Sequence, residues 1–328
     1  MLEAMAYKMQ PAGHEEPQKR RKYEKTEAAP IQAFVKWLDA VPRMDENEEF
    51  EYKRAQTLLT KKSYSIEDVN ALLLNSQGHP NFEKSGLFIS AMLNKLKEKT
   101  IIFDLSLDTK IEYLGYRLSK DRILISKVPT GSSFGSDTEG VVINESETGF
   151  FMCHLAEGLG INYGKAGLNL GDSSKNILNY GIAASNAGEE ANFFINVGET
   201  EEECARFIQR LAVNLGKTGL SFGEEAKADS TLVNAGYADK GFANAAGGRI
   251  VAAKAPTTYG KLDSAKLIFR EDECSKYPKL GKLLQDLKEQ LEKGRNDYRE
   301  AIKAMKSLKA DKLDDRIRSA LEVPYDGW

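Results

Sequence analysis

Three carboxylates occupy equivalent positions of a recurring pattern and are the best candidates for acid–base chemistry in this 328-residue sequence. Asp172, Glu189 and Glu224 each follow a glycine, and the first two are 17 residues apart. If one turn of the fold takes about that many residues, two of these side chains would stack at roughly 4.8 Å, the spacing of neighbouring strands. Carboxylates about 5 Å apart hydrolyse glycosidic bonds in retaining glycosidases. The alternative interpretation is a solvated acidic column that follows from the repeat and has no catalytic role.

Outside these acids the sequence offers few groups that could catalyse a reaction. His154 directly follows Cys153, and neighbouring residues of a strand point to opposite faces, so a nucleophile–base pair is disfavoured. The cysteines (Cys153, Cys204 and Cys274) are odd in number and form no CxxC pair, which predicts free thiols in a reducing cytoplasm. The glycine-rich stretches 158–160 and 241–248 match neither GxGxxG nor GxxxxGK[ST]. The sequence therefore predicts neither a cofactor nor a metal site.

Charge is distributed unevenly along the chain. The whole sequence carries a net charge of −3, but residues 101–275 contain 17 Lys and Arg against 24 Asp and Glu, a net of −7, while residues 1–100 carry +1 and residues 276–328 carry +3. A basic cluster could bind an RNA backbone or a protein partner; it consists of Lys19, Arg20, Arg21 and Lys22. Because the acidic middle would repel phosphates, any RNA contact is expected at the basic ends. No apolar run approaches the ~20 residues that span a bilayer, so we expect no membrane insertion.

The recurring pattern is an internal repeat of 17 to 20 residues. An apolar–Asn–x–Gly tetrapeptide begins at Ile161, Leu178, Ile195, Val213 and Val233, and an apolar–Gly–acid triplet lies nine residues into several of these units. Helical repeats need ~33 to 47 residues for two helices and their turns, so this period is too short for them. It predicts a β-solenoid in which each coil contributes two or three short strands and stacks on the coil before it.

Stacking places equivalent residues above one another. The repeated asparagines should form a structural ladder in which each amide hydrogen-bonds to the next; they are Asn144, Asn162, Asn179, Asn196, Asn214 and Asn234. The apolar residue before each asparagine is predicted to fill the interior, together with a second column. That column consists of Phe134, Met152, Leu170, Ala187, Cys204, Phe222 and Phe242. Residues 199–211 lack glycine and carry apolar residues at helical spacing, which predicts a short helix on one side of the coil 195–212.

The flanks of the repeat differ from it in composition. We predict an α+β protein with a disordered basic arm (1–29), a small helical domain that caps the first coil (30–99), the β-solenoid (100–275) and a C-terminal helical segment with a tail (276–328). Leucines at three-to-four spacing in the last segment predict a long helix, weakened at Gly294 and either bent or folded as a hairpin there. Its apolar stripe either packs along the solenoid or forms a coiled coil with a second copy, which would make a homo-oligomer.

Residues 233–253, VNAGYADKGFANAAGGRIVAA, resemble the glycine-rich β-helix repeat of the glutamate synthase C-terminal region. The related β-helix repeat of formylmethanofuran dehydrogenase is similar. The likeness concerns corner and ladder residues, so no active site carries over. It implies a structural or assembly element within a larger enzyme complex. The left-handed β-helix of hexapeptide acyltransferases needs an aliphatic residue every six positions, which Ile161, Gly167 and Ser173 do not provide.

Two hypotheses of function follow. The first is a cytoplasmic, non-catalytic scaffold protein whose rigid solenoid presents basic helical ends to a protein or ribonucleoprotein partner. The second is a carbohydrate-active or carbohydrate-binding β-helix protein that uses the acidic column.

Overall fold

The computed structural model describes residues 28–40, 47–60, 63–262, 265 and 267–321. Within these ranges the chain forms a parallel β-solenoid with helices before and after it, as the repeat predicts. The helices are α1 (Ala28–Ala40), α2 (Glu48–Leu58), α3 (Ile66–Ser76), a 3₁₀ helix (Phe82–Lys84), α4 (Ser85–Leu93), α5 (Glu271–Cys274), α6 (Pro278–Gly294), α7 (Tyr298–Ser307) and α8 (Ala310–Ala320). None of the helices in these ranges has the length and apolar character needed to cross a membrane.

Two parallel sheets run along the solenoid. The ten-stranded sheet takes one long strand from each coil: β1 (Thr100–Phe103), β2 (Ile123–Ser126), β3 (Val141–Asn144), β4 (Leu159–Asn162), β6 (Asn176–Asn179), β8 (Phe193–Asn196), β10 (Leu211–Asn214), β12 (Thr231–Asn234), β14 (Arg249–Ala252) and β15 (Leu267–Phe269). The five-stranded sheet takes a two-residue strand from each inner coil: β5 (Lys165–Ala166), β7 (Ile182–Ala183), β9 (Glu199–Thr200), β11 (Lys217–Thr218) and β13 (Tyr237–Ala238). The third side of each coil, here called the turn side, lies between the short strand and the next long strand, as in residues 167–175.

Left-handed residues at alternate positions shape the turn side. In one coil Asn169, Gly171 and Ser173 have φ of 63°, 72° and 53°. Glycine holds the middle position in most coils because it adopts φ > 0 without steric cost. A Cβ at Gly171 would lie 2.2 Å from Cγ1 of Ile177 across the interior, so there is no room for a side chain.

The predicted helix within residues 199–211 is wrong. Glu203, Ala205 and Phe207 have φ of 50°, 57° and 51°, and the segment forms an ordinary turn side. Ala205 takes the position that glycine holds in other coils. By the register of the coils it stands opposite Ala212, whose small side chain leaves room for a methyl group. The missing glycine therefore reflects a small partner across the interior rather than a helix.

The predicted interior is right for the turn-side column and wrong for the residue before each asparagine. The turn-side column from Phe134 to Phe242 is buried inside the solenoid. Successive residues of a strand point to opposite faces, so residues two apart share a face. The residue two places before each buried asparagine, such as Ile177 or Phe194, therefore also faces the interior. The residue directly before the asparagine, such as Ile161, faces outward and is buried by the C-terminal helices.

The helices α6, α7 and α8, here called the helical layer, cover the outer face of the ten-stranded sheet. Their leucine stripe is buried there, so the segment packs along its own solenoid, one of the two arrangements that the sequence left open. The helix is interrupted at Gly294, where α6 ends. The hydroxyl groups of Tyr163 and Tyr180 donate to the carbonyl oxygens of Gly294 (2.5 Å) and Leu291 (2.6 Å). These bonds satisfy carbonyls that a helix end leaves without intrahelical partners.

The N-terminal helices close the first coil. One cluster of buried side chains runs from Trp37 in α1 through Phe88 in α4 to Phe103 in β1. A Cβ at Gly86 would lie 1.9 Å from the carbonyl oxygen of Glu112, so glycine lets α4 lie directly on the first coil. The helical cap therefore shares its core with the interior of the solenoid.

Candidate functional site

Backbone hydrogen bonds between coils align one outward-facing column on the turn side. The amide of the residue after each column member donates to the carbonyl of the member in the next coil: Leu155 to Asp172 at 3.0 Å, and Ser173 to Glu189 at 2.9 Å. The same bonds continue along the solenoid. The column, here called the polar column, consists of His154, Asp172, Glu189, Arg206, Glu224 and Asn244.

The polar column contains all three sequence-predicted acids but does not bring them together. Asp172 and Glu189 lie in adjacent coils, whereas Arg206 separates Glu189 from Glu224. Burial, and then the charge of Asp172, raise the pKa of Glu189. Glu224 instead accepts a hydrogen bond from Nδ2 of Asn244 at 2.7 Å. Asp172 and Glu189 therefore form a like-charged pair, and Glu224 stands outside it.

Cys153 and His154 have different environments. The Cys153 side chain is buried inside the solenoid, where burial raises the pKa of its thiol to about 12. His154 faces outward, with Nε2 3.6 Å from Oδ2 of Asp172 and its ring 5.6 Å from the ring of Phe151. A thiol that stays protonated inside the fold cannot act as a nucleophile with this histidine. The separation expected for sequence neighbours is confirmed, although the residues lie in a turn rather than a strand.

Exposed apolar side chains lie next to His154, the first residue of the polar column. Phe150, Phe151, Leu155 and Leu168, here called the apolar patch, are 52%, 39%, 47% and 41% exposed. The Phe151 amide donates to the carbonyl of Leu168 at 2.9 Å, and Phe150 lies over the neighbouring Gly167. The repeat pattern does not predict this patch. The available signal was that these four residues belong to neither of the interior columns of the repeat.

The other sequence-predicted residues have structural roles or lie outside the described residues. The ladder asparagines are fully buried, and Nδ2 of each of the first five donates to Oδ1 of the next at 2.7 to 3.0 Å, while Nδ2 of Asn234 donates to the carbonyl of Lys254. The asparagine ladder is therefore confirmed as a structural feature. The basic cluster Lys19 to Lys22 falls outside the described ranges. In the part of the chain that the structure describes, no three His, Cys, Asp or Glu side chains converge as metal ligands.

No protein-family model, no curated protein and no solved structure matches this chain. The surfaces with distinctive chemistry are the polar column with its apolar patch and, on a different side, the helical layer.

Proposed function

We propose that the protein is a non-catalytic scaffold that holds a protein or ribonucleoprotein partner against its helical layer. The observation that carries this proposal is that the helical layer is held against the solenoid by its apolar residues. Its apolar stripe is buried on the sheet, so only its polar face remains available. Lys282, Lys288 and Lys306 are exposed on that face, within a segment whose net charge is +3. A basic surface favours an acidic protein or an RNA backbone through charge.

The interior of the solenoid supports a mechanical role. The asparagines and glycines that could suggest a ligand loop are accounted for by stacking, because they form the ladder and the tight turns. Such a body keeps its faces at fixed distances, which is what a scaffold requires. The resemblance of residues 233–253 to the glutamate synthase β-helix supports the same role at the level of architecture. A cytoplasmic location belongs to this proposal, since all three cysteines are free thiols.

The test is affinity purification of the tagged full-length chain from its own cells, with and without ribonuclease. We expect a partner to co-purify and to sediment with the chain as a complex heavier than the 36.4 kDa monomer. The triple variant Lys282→Glu/Lys288→Glu/Lys306→Glu should lower recovery at least tenfold. The matched control, Asp286→Lys/Glu289→Lys, changes charge on the same layer in the opposite direction and should retain the partner.

Two outcomes would overturn the proposal. A chain that sediments alone and recovers no partner contradicts the scaffold role. A partner that is recovered equally by the triple variant contradicts docking at the helical layer. Loss of the partner on ribonuclease treatment would identify it as a ribonucleoprotein.

One observation favours a carbohydrate-active protein as a second candidate. A carboxyl group of raised pKa, Glu189, lies one coil from Asp172, and such a pair can divide into an acid and a nucleophile. If this candidate is right, Glu189→Gln and Asp172→Asn abolish the release of reducing sugar from a polysaccharide panel, whereas Glu224→Gln leaves it unchanged. No release by the unaltered chain on any member of the panel would rule out hydrolysis.

A further inference from the structure

We propose that the apolar patch and the acids of the polar column beside it form a second docking surface, which takes a protein segment that carries a lysine or arginine next to aliphatic or aromatic residues. This inference rests on the proposed scaffold role, because it supplies a second partner for the scaffold to join. The helical layer covers the outer face of the ten-stranded sheet, whereas the patch lies on the turn side. Two partners could therefore bind at once.

The fold does not require apolar residues at the patch. The position of Phe151 is taken by Asn169 and Asn186 in the next two coils, and the position of Leu155 is taken by Ser173 and then by a glutamate. The interior is already filled by the turn-side column, so the patch residues add nothing to the core. Exposed apolar side chains in adjacent coils of a mostly polar surface are typical of interaction sites.

The backbone makes these side chains more unusual. Phe151 and Leu155 have φ of 60° and 53°, in the left-handed region that bulky residues seldom adopt. Asn169 has the same conformation at φ 63°, and asparagine tolerates it far better. A large apolar residue at such a position is unfavourable both for the backbone and for solvation. A role in binding explains why the protein keeps apolar residues here despite both costs.

The charge beside the patch selects the partner. Leu155 is followed in its own column by Ser173 and then Glu190, and His154 is followed by Asp172 and Glu189. Among the described residues the Glu189 carboxylate has no hydrogen-bond or ion-pair partner; the charge of Arg206 in the next coil acts on it, but the Arg206 guanidinium is paired with Glu203 at 3.3 Å. A cationic side chain from a partner would meet Asp172 and Glu189 while its apolar neighbours cover the patch. Lysine or arginine can also lie against the Phe151 ring.

The test uses peptides, so that it does not depend on capture from cells. A phage-displayed library of random dodecapeptides is selected on the immobilised full-length chain, and the enriched peptides are synthesised and titrated by calorimetry. Two variants probe the surface: Phe151→Ser/Leu155→Ser for the patch and Asp172→Asn/Glu189→Gln for the charge. The control is Ile102→Ser/Ile182→Ser, which removes two side chains that are 43% and 44% exposed on the two sheets, away from the turn side. Thermal unfolding checks that all variants remain folded.

We expect enriched peptides to share a basic residue flanked by apolar residues. Each surface variant should weaken their binding at least tenfold, and the control should change it less than twofold. Added salt should weaken binding to the unaltered chain more than to the Asp172→Asn/Glu189→Gln variant, because only the former keeps the charge pair. Failure to enrich any peptide, enrichment of peptides without a basic residue, or equal binding to all variants would overturn the inference. Those results would leave the helical-layer test standing, since that test changes different residues and uses a different readout.

Discussion

Single residues determine stability most directly in the asparagine ladder. Asn179 accepts from Asn162 at 2.8 Å and donates to Asn196 at 2.9 Å, and all three are fully buried. Asn179→Ala removes a partner on both sides. Since each unsatisfied buried group costs about 1 to 3 kcal/mol, we expect the free energy of unfolding to fall by about 2 to 6 kcal/mol. Urea denaturation measures this.

The end of the ladder provides the matched control. Ala252 occupies the position beyond Asn234, so Asn234→Ala removes the acceptor of only one ladder neighbour, Asn214. Its loss of stability should be about half that of Asn179→Ala. Equal losses at the two positions, or a loss below about 1 kcal/mol at Asn179, would show that the ladder bonds contribute little.

The buried thiols predict a loss of stability in mild alkali. Burial raises the pKa of Cys153 and of Cys204 to about 12, while the thiol of an unfolded chain has a pKa of ~8.5. The folded state therefore keeps its protons where the unfolded state releases them, and stability present below about pH 8.5 is lost as pH rises toward 12. Between pH 8 and 9.5 each buried thiol should lower the free energy of unfolding by about 1 kcal/mol.

Urea denaturation at the two pH values tests this effect. Cys204→Ala places alanine where the preceding coil already has Ala187. Its pH-dependent loss should be about 1 kcal/mol smaller than that of the unaltered chain. The same loss in both proteins would mean that other groups cause the alkaline effect.

At the scale of elements, the turn side and the long strand of each coil compensate each other in size. A Cβ at Gly188 would lie 2.5 Å from the ring of Phe194, while a coil with Ala205 on the turn side has Ala212 on its strand. Gly188→Ala should therefore cost about 1 to 2 kcal/mol for the left-handed conformation and about 1 to 3 more for the overlap. In a Phe194→Ala background only the first cost should remain. A double-mutant cycle with additive costs would contradict the compensation.

The sequence predicted the repeat and the ladder because each coil must place the same residue types at the same points. It did not predict which side of the long strand faces inward. Both faces of that strand are apolar, as is usual for strands covered on both sides, so Ile161 and Ile177 are equivalent in pattern. A buried asparagine marks the inward face, but its amide would also suit the surface. The structure shows which face is outward, because the helical layer covers that face.

Two further incorrect predictions have the same cause: they depend on contacts between residues that are distant in the sequence. Residues 199–211 looked helical because glycine was missing, and the reason lies in Ala212, seven residues beyond Ala205 and across the interior. The apolar patch was missed because Phe151 and Leu155 resemble core residues when only their type is considered. Size matching and exposure both depend on neighbours that a linear pattern does not place.

For the whole molecule, one buried ionic cluster fixes the helical layer on the solenoid. The outward column of the long strands is apolar at Leu211 but polar at Thr231 and Arg249. Arg249 is 5% exposed and donates to Asp314 of α8 at 2.8 Å, and the Thr231 hydroxyl donates to the same carboxylate. Such a cluster sets the position at which α8 docks, because any other position would leave buried charges unpaired.

Removal of one partner should therefore detach the end of the layer without unfolding the solenoid. Asp314→Ala leaves Arg249 buried and unpaired, a change that typically costs about 3 to 5 kcal/mol, and we expect hydrogen exchange to speed up in α8 but not in β4 or β8. Arg249→Leu/Asp314→Leu should restore protection, because leucine already occupies the Arg249 column at Leu211. If exchange rises equally along the solenoid, the helical layer and the coils unfold as one unit. If the double variant remains as exposed as Asp314→Ala, apolar packing cannot replace the ionic cluster, and the position of the layer depends on charge itself.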